Sequence, residues 1–372
     1  MSVATVGPDG TTWERALGAG VSTTCRRRVG GLVTGVALLL AACASDPARH
    51  LGTAPEFPGC TSVVTDPSKA RRVLRDAEPG STVCVTGDLG GTELILTASG
   101  VPGAPVTLAG RDATVRTIRV DADHVVVEGF TVQGGDGLVL RGRGITARAN
   151  TVRDARANGI ECRPCTDARI ESNVVERADG SGILIEGERI TVHGNTISDS
   201  VMREANDADG VRFFGRGHVI SDNTIRNIPL HGHPGGSPHP DCFQTYDNNR
   251  PPTVDVLIAG NRCEHIGQQC LIATAEEAGK QGMVGRSRSL TFVGNTCLVG
   301  ASQAVLIRWF PDVSVRNNRI IGSSMARGVI FLDGSVGGEV TGNIFVGGFT
   351  PVEADDLSRG GLRTADNLSE PS

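Results

Sequence analysis

The chain has 372 residues, 50 of them glycine, few aromatic residues, and a formal net charge of −5. The charge is spread without blocks and leaves no basic stripe, so nucleic acid is not an expected partner. Abundant glycine with a single tyrosine suits tight turns around a narrow core better than a broad globular α/β core.

In chain order, residues 1–42 read as an export signal. Arg26–Arg28 form the basic part, and Val29–Ala42 form an apolar stretch too short to span a bilayer. The ending Leu40-Ala41-Ala42-Cys43 resembles the bacterial lipobox. That resemblance implies cleavage before Cys43, lipid on its thiol, and a protein held on the outer face of the cell membrane. Residues 43–57, small and proline-bearing, then read as a tether. Asp66-Pro67 opens a helix expected over about 66–78, with an N-cap acid and proline at the first helical position. Ala70, Val73, Leu74 and Ala77 would share one face, and Pro79-Gly80 would stop it.

Beyond the helix the chain keeps returning to one figure: an alternating apolar run, a small or polar residue, then asparagine. ITARANTV, ITVHGNTI, VLIAGNRC and GEVTGNIF are examples. The asparagines are Asn150, Asn173, Asn195, Asn223, Asn261, Asn295, Asn318 and Asn343, spaced by 23, 22, 28, 38, 34, 23 and 25 residues. Period-2 alternation inside a repeat of this length means short strands that bury their apolar face only by stacking on the next repeat. A β-propeller would need about 40–50 residues per repeat. The expected fold is all-β: a right-handed parallel β-helix over 58–350 with three strands per rung, followed by a C-terminal tail at 351–372. The asparagine suits a left-handed turn, and its amide can bond the same amide one rung up.

The helix followed by PGSTVCVTGDL and SGVPGAPVTLAGR resembles the N-terminal cap and first rungs of secreted β-helix proteins of the chondroitinase-B-like and pectate-lyase-like group. The resemblance implies the fold and a polysaccharide as substrate or ligand. It implies no particular chemistry, because one scaffold hosts many.

Eight cysteines follow Cys43, and an exported chain permits disulfides. Cys60 and Cys84 bracket the helix and are the best pair; Cys162 and Cys165 could close a turn. Cys242 and Cys270, and Cys263 and Cys297, fall at matching places of neighbouring rungs. They would be bridged along the stack or packed as inward thiols.

Aligning the first strand of each rung gives a polar column that includes Ser181, Asp209, Asp241 and Gln269. Two places on lies an inward column with Ile183, Val211, Phe243 and Leu271, and then an outward one with Glu161, Leu184, Arg212, Gln244 and Ile272. Groups able to do chemistry concentrate at Asp209, Arg212, Asp241 and Gln244, beside the insertions 198–207, 229–239 and 276–286. Tyr246 and the pair Arg308-Trp309 lie at the far end of these strands and suit sugar binding. Asp207-Ala208-Asp209-Gly210 and Asp241-Cys242 faintly resemble the NTDG and DDC motifs of polygalacturonases. Pro240 stands where the second motif needs aspartate, so that activity is not carried over.

Two functions follow as expectations. One is a polysaccharide-cleaving enzyme. As a hydrolase it would use Asp209 and Asp241 as acid and base. As a lyase it would hold Ca²⁺ on Asp207, Asp209 and Asp241, with Arg212, His239 or Tyr246 as neutraliser or base. His231, His233 and His239 could instead take a transition metal. The other is a non-catalytic glycan-binding surface protein. In either case the protein is expected to be a monomer.

Overall fold

The computed structural model describes residues 58–204 and 207–371. The signal, Cys43 and the tether lie outside the described residues. Within them, 31 strands form one sheet surface, and all strand pairings are parallel, each strand meeting its counterpart a rung away. The result is a right-handed parallel β-helix of about 13 turns. Three strands make a rung, as in Val211–Arg216, Val219–Ser221 and Thr224–Ile228. Alternate residues of all three strands point inward, so the core is a stacked column of aliphatic and phenylalanine side chains running along the axis.

The sequence alignment of rungs matches the observed register. Arg212 pairs with Leu184 below and Gln244 above, and Val211 sits between Ile183 and Phe243. A slip of one residue would have put Arg212 into the core, so the apolar column alone suffices to hold the register.

At the N-terminal end, helix α1 spans Pro67–Arg75. Asp66 accepts the N–H of Ser68 at 2.9 Å, and Ala70 and Leu74 are buried on the first rung. The helix stops short of the expected residue 78. Proline at 79 disfavours helical backbone at the residue before it, and the last turn is given up at Asp76.

The asparagines form a buried ladder. Asn150 Oδ1 accepts the N–H of Phe130, and from Asn173 onward each Oδ1 accepts both the main-chain N–H and the side-chain N–H of the asparagine one rung before. Asn223, for example, accepts from Asn195 at 2.9 and 3.0 Å. The left-handed backbone that the sequence assigned to asparagine belongs to its predecessor: Ser172, Asp222 and Asn317 have φ of 54°, 56° and 54°. The asparagine itself must keep its amide directed along the stack, and the turn is made one residue earlier.

Two expectations are corrected. The solenoid does not end near 350: Thr350–Ala354, Arg363–Ala365 and Leu368–Glu370 form a further rung, and Asn367 adds a ninth asparagine, 2.9 Å from Asn343. The inner cysteines are not bridged along the stack. Cys60–Cys84 and Cys162–Cys165 are bonded, and so are Cys242–Cys263 and Cys270–Cys297. The last two join first and third strands of one rung across the core, with Cα atoms 6.1 and 5.8 Å apart. Inward side chains of facing strands converge, whereas stacked ones run side by side. Four disulfides assign folding to an oxidising compartment, consistent with export. Among the described residues no helix is long and apolar enough to cross a membrane.

Candidate functional site

The polar column at the start of the first strands is built by the same backbone logic as the asparagine ladder. Asp209 Oδ1 accepts the N–H of Asp241 at 2.9 Å, and Asp241 Oδ1 accepts the N–H of Gln269 at 2.8 Å. Each aspartate thus spends one oxygen on the rung above and turns the other toward the outer face. Asp241 Oδ2 meets His239 Nδ1 at 3.0 Å and Gln244 Nε2 at 3.1 Å. Asp209 Oδ2 lies 2.5 Å from Arg212 Nε, facing it as a charge rather than along an aligned N–H. Arg212 Nη2 reaches Asp207 Oδ2 at 3.2 Å, and Asp207 Oδ1 accepts the main-chain N–H of His239 at 2.5 Å. The insertions carrying Asp207 and His239 are therefore pinned to each other over the strand starts. They also touch where Gly235 N–H donates to Met202 O at 2.8 Å.

Five residues singled out in the sequence, Asp207, Asp209, Arg212, Asp241 and Gln244, thus meet in one cluster, and His239 joins them. Their exposure is unequal. Asp209 and Asp241 are fully buried, Arg212 and Gln244 nearly so, while the His239 side chain is 45% exposed. Burial pushes Asp209 up, to about 7, with Arg212 opposing and the neighbouring carboxylates adding. Burial likewise raises Asp241, against the pull of His239. His239 is raised by its hydrogen bond to Asp241.

The donor set does not suit a calcium ion. Both oxygens of Asp207 and Asp241 are engaged, and the guanidinium of Arg212 already stands against Asp207 and Asp209 where a cation would sit. Nor do the three histidines converge. His233 has both ring nitrogens occupied, by Met202 N–H at 3.2 Å and Pro229 O at 2.6 Å. Among the described residues no group of three or more histidine, cysteine or acidic side chains is arranged to hold a metal.

The family described as "Right handed beta helix region" matches residues 136–359. The chain belongs to that family. No curated protein matches the sequence. Of solved structures, the A-module of the mannuronan C-5 epimerase AlgE4 of Azotobacter vinelandii is similar. Its TM-score is 0.51 at 13% identity, covering 84% of this chain and 95% of that one. The PL6 family polysaccharide lyase of Pseudopedobacter saltans is matched at TM-score 0.45 and 13% identity over 77% of this chain; the chain spans 63% of that enzyme's length. PfbA, a surface adhesin of Streptococcus pneumoniae, is matched at TM-score 0.47 and 12% identity, over 81% of this chain and 87% of that one. At such identities the likeness is one of fold.

On this β-helix the aromatic residues divide. Tyr246 belongs with the cluster: its ring lies 5.9 Å from the Arg212 guanidinium and edge-on to Phe214 at 4.9 Å. Sequence reasoning missed Arg250, which covers Phe214 at 5.0 Å and bonds Glu186 at 3.0 Å. The signal for it was the lengthened connection between Tyr246 and Thr253. Arg308 and Trp309 stand apart from the aspartates. Arg308 pairs with Asp333 at 2.6 Å and caps the Trp309 ring at 4.1 Å. Helix α2, Glu276–Lys280, closes on the ring from elsewhere: a Cβ on Gly279 would fall 2.1 Å from Trp309 Cδ1. The ring is packing, not a free platform for sugar. Gly279→Ala, otherwise favourable in a helix, is expected to lose about 1–3 kcal/mol and shift the Trp309 emission. An unshifted spectrum with wild-type stability would refute this packing.

The raised carboxyls have a consequence for stability. A group whose folded value lies above its unfolded one favours folding when protonated, and that contribution is lost as pH rises through the folded value. Asp209 and Asp241, raised from 3.8, therefore destabilise the fold progressively from about pH 4 to about 7 for Asp209. His239, also raised, acts in the same direction above its ordinary 6.5. The melting temperature is expected to fall across this window, with a smaller slope in Asp209→Asn. Equal slopes in the two proteins would contradict the assignment.

Proposed function

We propose that the protein acts on an acidic polysaccharide by proton abstraction next to a uronate carboxylate, with His239 as the base. The observation that carries this reading is the half-exposed imidazole held by a buried carboxylate at 3.0 Å, next to a buried arginine. With Asp241 ionised, His239 Nδ1–H donates to it and Nε2 is left as the base facing solvent. Arg212 and Tyr246, joined to the same cluster through Asp207 and Asp209, are the groups offered to the uronate carboxylate. His239 Nε2 takes the proton at C5, and the carboxylate stabilises the charge that forms. The C4–O4 bond then breaks, leaving a C4=C5 double bond, and the departing alkoxide oxygen takes a proton from solvent water while His239 returns its own proton to solvent. A paired-carboxylate hydrolysis fits less well, because both aspartates are sealed and neither can flank a glycosidic bond.

A second reading, glycan binding without turnover, is favoured by one observation: Asp209 and Asp241 each cap a backbone N–H of the next rung, a structural task. The deciding experiment is a panel of polyuronates and neutral glycans, followed by ultraviolet absorbance of unsaturated uronate and by reducing ends. Unsaturated product is expected from a polyuronate, and His239→Gln should lower it by about 10²–10⁴-fold. Reducing ends without unsaturation would reject the lyase reading. Binding with neither product would move the second reading to first place. In the same proposal Cys43 carries the lipid that anchors the protein outside the cell. Cys43→Ser should release it from the membrane fraction, and unchanged retention would refute the anchor.

A further inference from the structure

Away from the aspartate cluster, a cavity of about 480 Å³ opens at the opposite end of the same strands. Its floor is the stacked backbone of Gly187 and Gly215. These residues are glycine for a steric reason: φ is 143° and 106°, and a Cβ on Gly215 would lie 2.0 Å from the Gly187 carbonyl oxygen. With no side chain on either rung, the face is hollowed. Pro251 and Pro252 make one wall, and Arg286, from the insertion after α2, and Arg288, at the start of the strand Arg288–Val293, make another. A second cavity of about 210 Å³ adjoins it, sharing Pro252 and Arg286 and reaching Arg250.

The charges lining the larger cavity are not balanced, while the smaller one adds Asp247 and Glu277 beside Arg250 and Arg286, with Asp247 already bound to the N–H groups of Glu277 and Ala278. Arg216, Arg286 and Arg288 line it against Glu188 and Asp255. Glu188 is divided between Arg216 at 3.5 Å and Arg189 at 2.9 Å, outside the hollow. Arg288 donates to the Gly285 carbonyl at 2.9 Å. Arg286 is exposed and, among the described residues, makes no ion pair, although it lines both cavities. A hollow with apolar proline walls and a surplus guanidinium fits a sugar ring bearing one anionic group, since guanidinium binds carboxylate and sulfate oxygens through two N–H bonds.

We propose that this hollow is a separate binding site for an anionic sugar unit, a uronate or a sulfated residue, with Arg286 as its principal contact. From Arg212 to Arg216 is four residues of one strand, roughly 13 Å, so one acidic chain could meet both sites. The proposal rests on the acidic-polysaccharide reading for the kind of ligand but not on its chemistry.

The test uses the full chain and reads protection of individual arginines from an arginine-selective dicarbonyl reagent by peptide mass spectrometry. The probes are galacturonate, galactose 6-sulfate, inorganic sulfate and neutral galactose. Galacturonate or galactose 6-sulfate is expected to protect Arg286 and neutral galactose to leave it reactive. Arg286→Glu should weaken polyuronate binding about tenfold with an unchanged melting temperature, in the His239→Gln background as well as in the wild type. Arg286 protected without any turnover supports this site and removes the lyase reading. Turnover with Arg286 unprotected by every probe removes this site and leaves the lyase reading standing. Protection by inorganic sulfate as strong as by the sugars, with unchanged polyuronate affinity in Arg286→Glu, would show an anion contact and overturn the sugar site.

Discussion

Asn223→Ala is expected to cost about 3–5 kcal/mol of stability. Asn223 is buried, with 1% of its surface accessible. It accepts from the main chain and side chain of Asn195 and donates to Val192 O at 3.0 Å and Asn261 Oδ1 at 2.9 Å. Alanine removes all four bonds while leaving their partners buried. Each unsatisfied group costs about 1–3 kcal/mol, partly relieved where a carbonyl keeps its second lone pair engaged. Denaturant unfolding of the variant measures this. A loss under about 1 kcal/mol would mean that the ladder is ornament to the β-sheet bonds rather than part of what holds the rungs in place.

Asp241→Asn is expected to leave the fold and glycan binding intact and to lower turnover by about 10²–10⁴-fold. Asparagine can still accept the Gln269 N–H through its carbonyl oxygen. Its amide then presents N–H groups to His239 Nδ1, where a carboxylate oxygen had been. The imidazole is driven to carry its proton on Nε2, the nitrogen that should be the base. The pKa of His239 should also fall, since its rise comes first from the Asp241 bond. A merely structural Asp241 would move stability without moving the His239 titration. An NMR titration of His239 alongside kcat separates the two, and an unmoved titration with wild-type kcat would end the dyad reading.

Much of this architecture can be read from the chain because a solenoid repeats its constraints. The column Ile183, Val211, Phe243, Leu271 is apolar in every rung, and the asparagines mark each turn, so register follows from counting. The same signal was present in ADNL at Asn367 and extends the solenoid to its last rung. What the repeat does not encode is direction across the core. Matching places of Cys242 and Cys270 are a stacking relation, whereas their bonds run to Cys263 and Cys297 within each rung. Polar residues in a column likewise say nothing of depth. Asp209 and Asp241 look like outward acids in the alignment, yet both are sealed by Arg212, Gln244 and the insertion carrying His239. The insertions are where periodicity ends, and they decide both the exposure of His239 and the hollow around Arg286.

The fate of the C5 proton decides whether His239 is the base. A polyuronate deuterated at C5 is incubated with the full chain, and label in solvent and products is followed with time. Release of deuterium to water, lost in His239→Gln, is the result expected if His239 abstracts that proton. Label retained at C5 in shortened, saturated chains, or in untouched polymer, would contradict it.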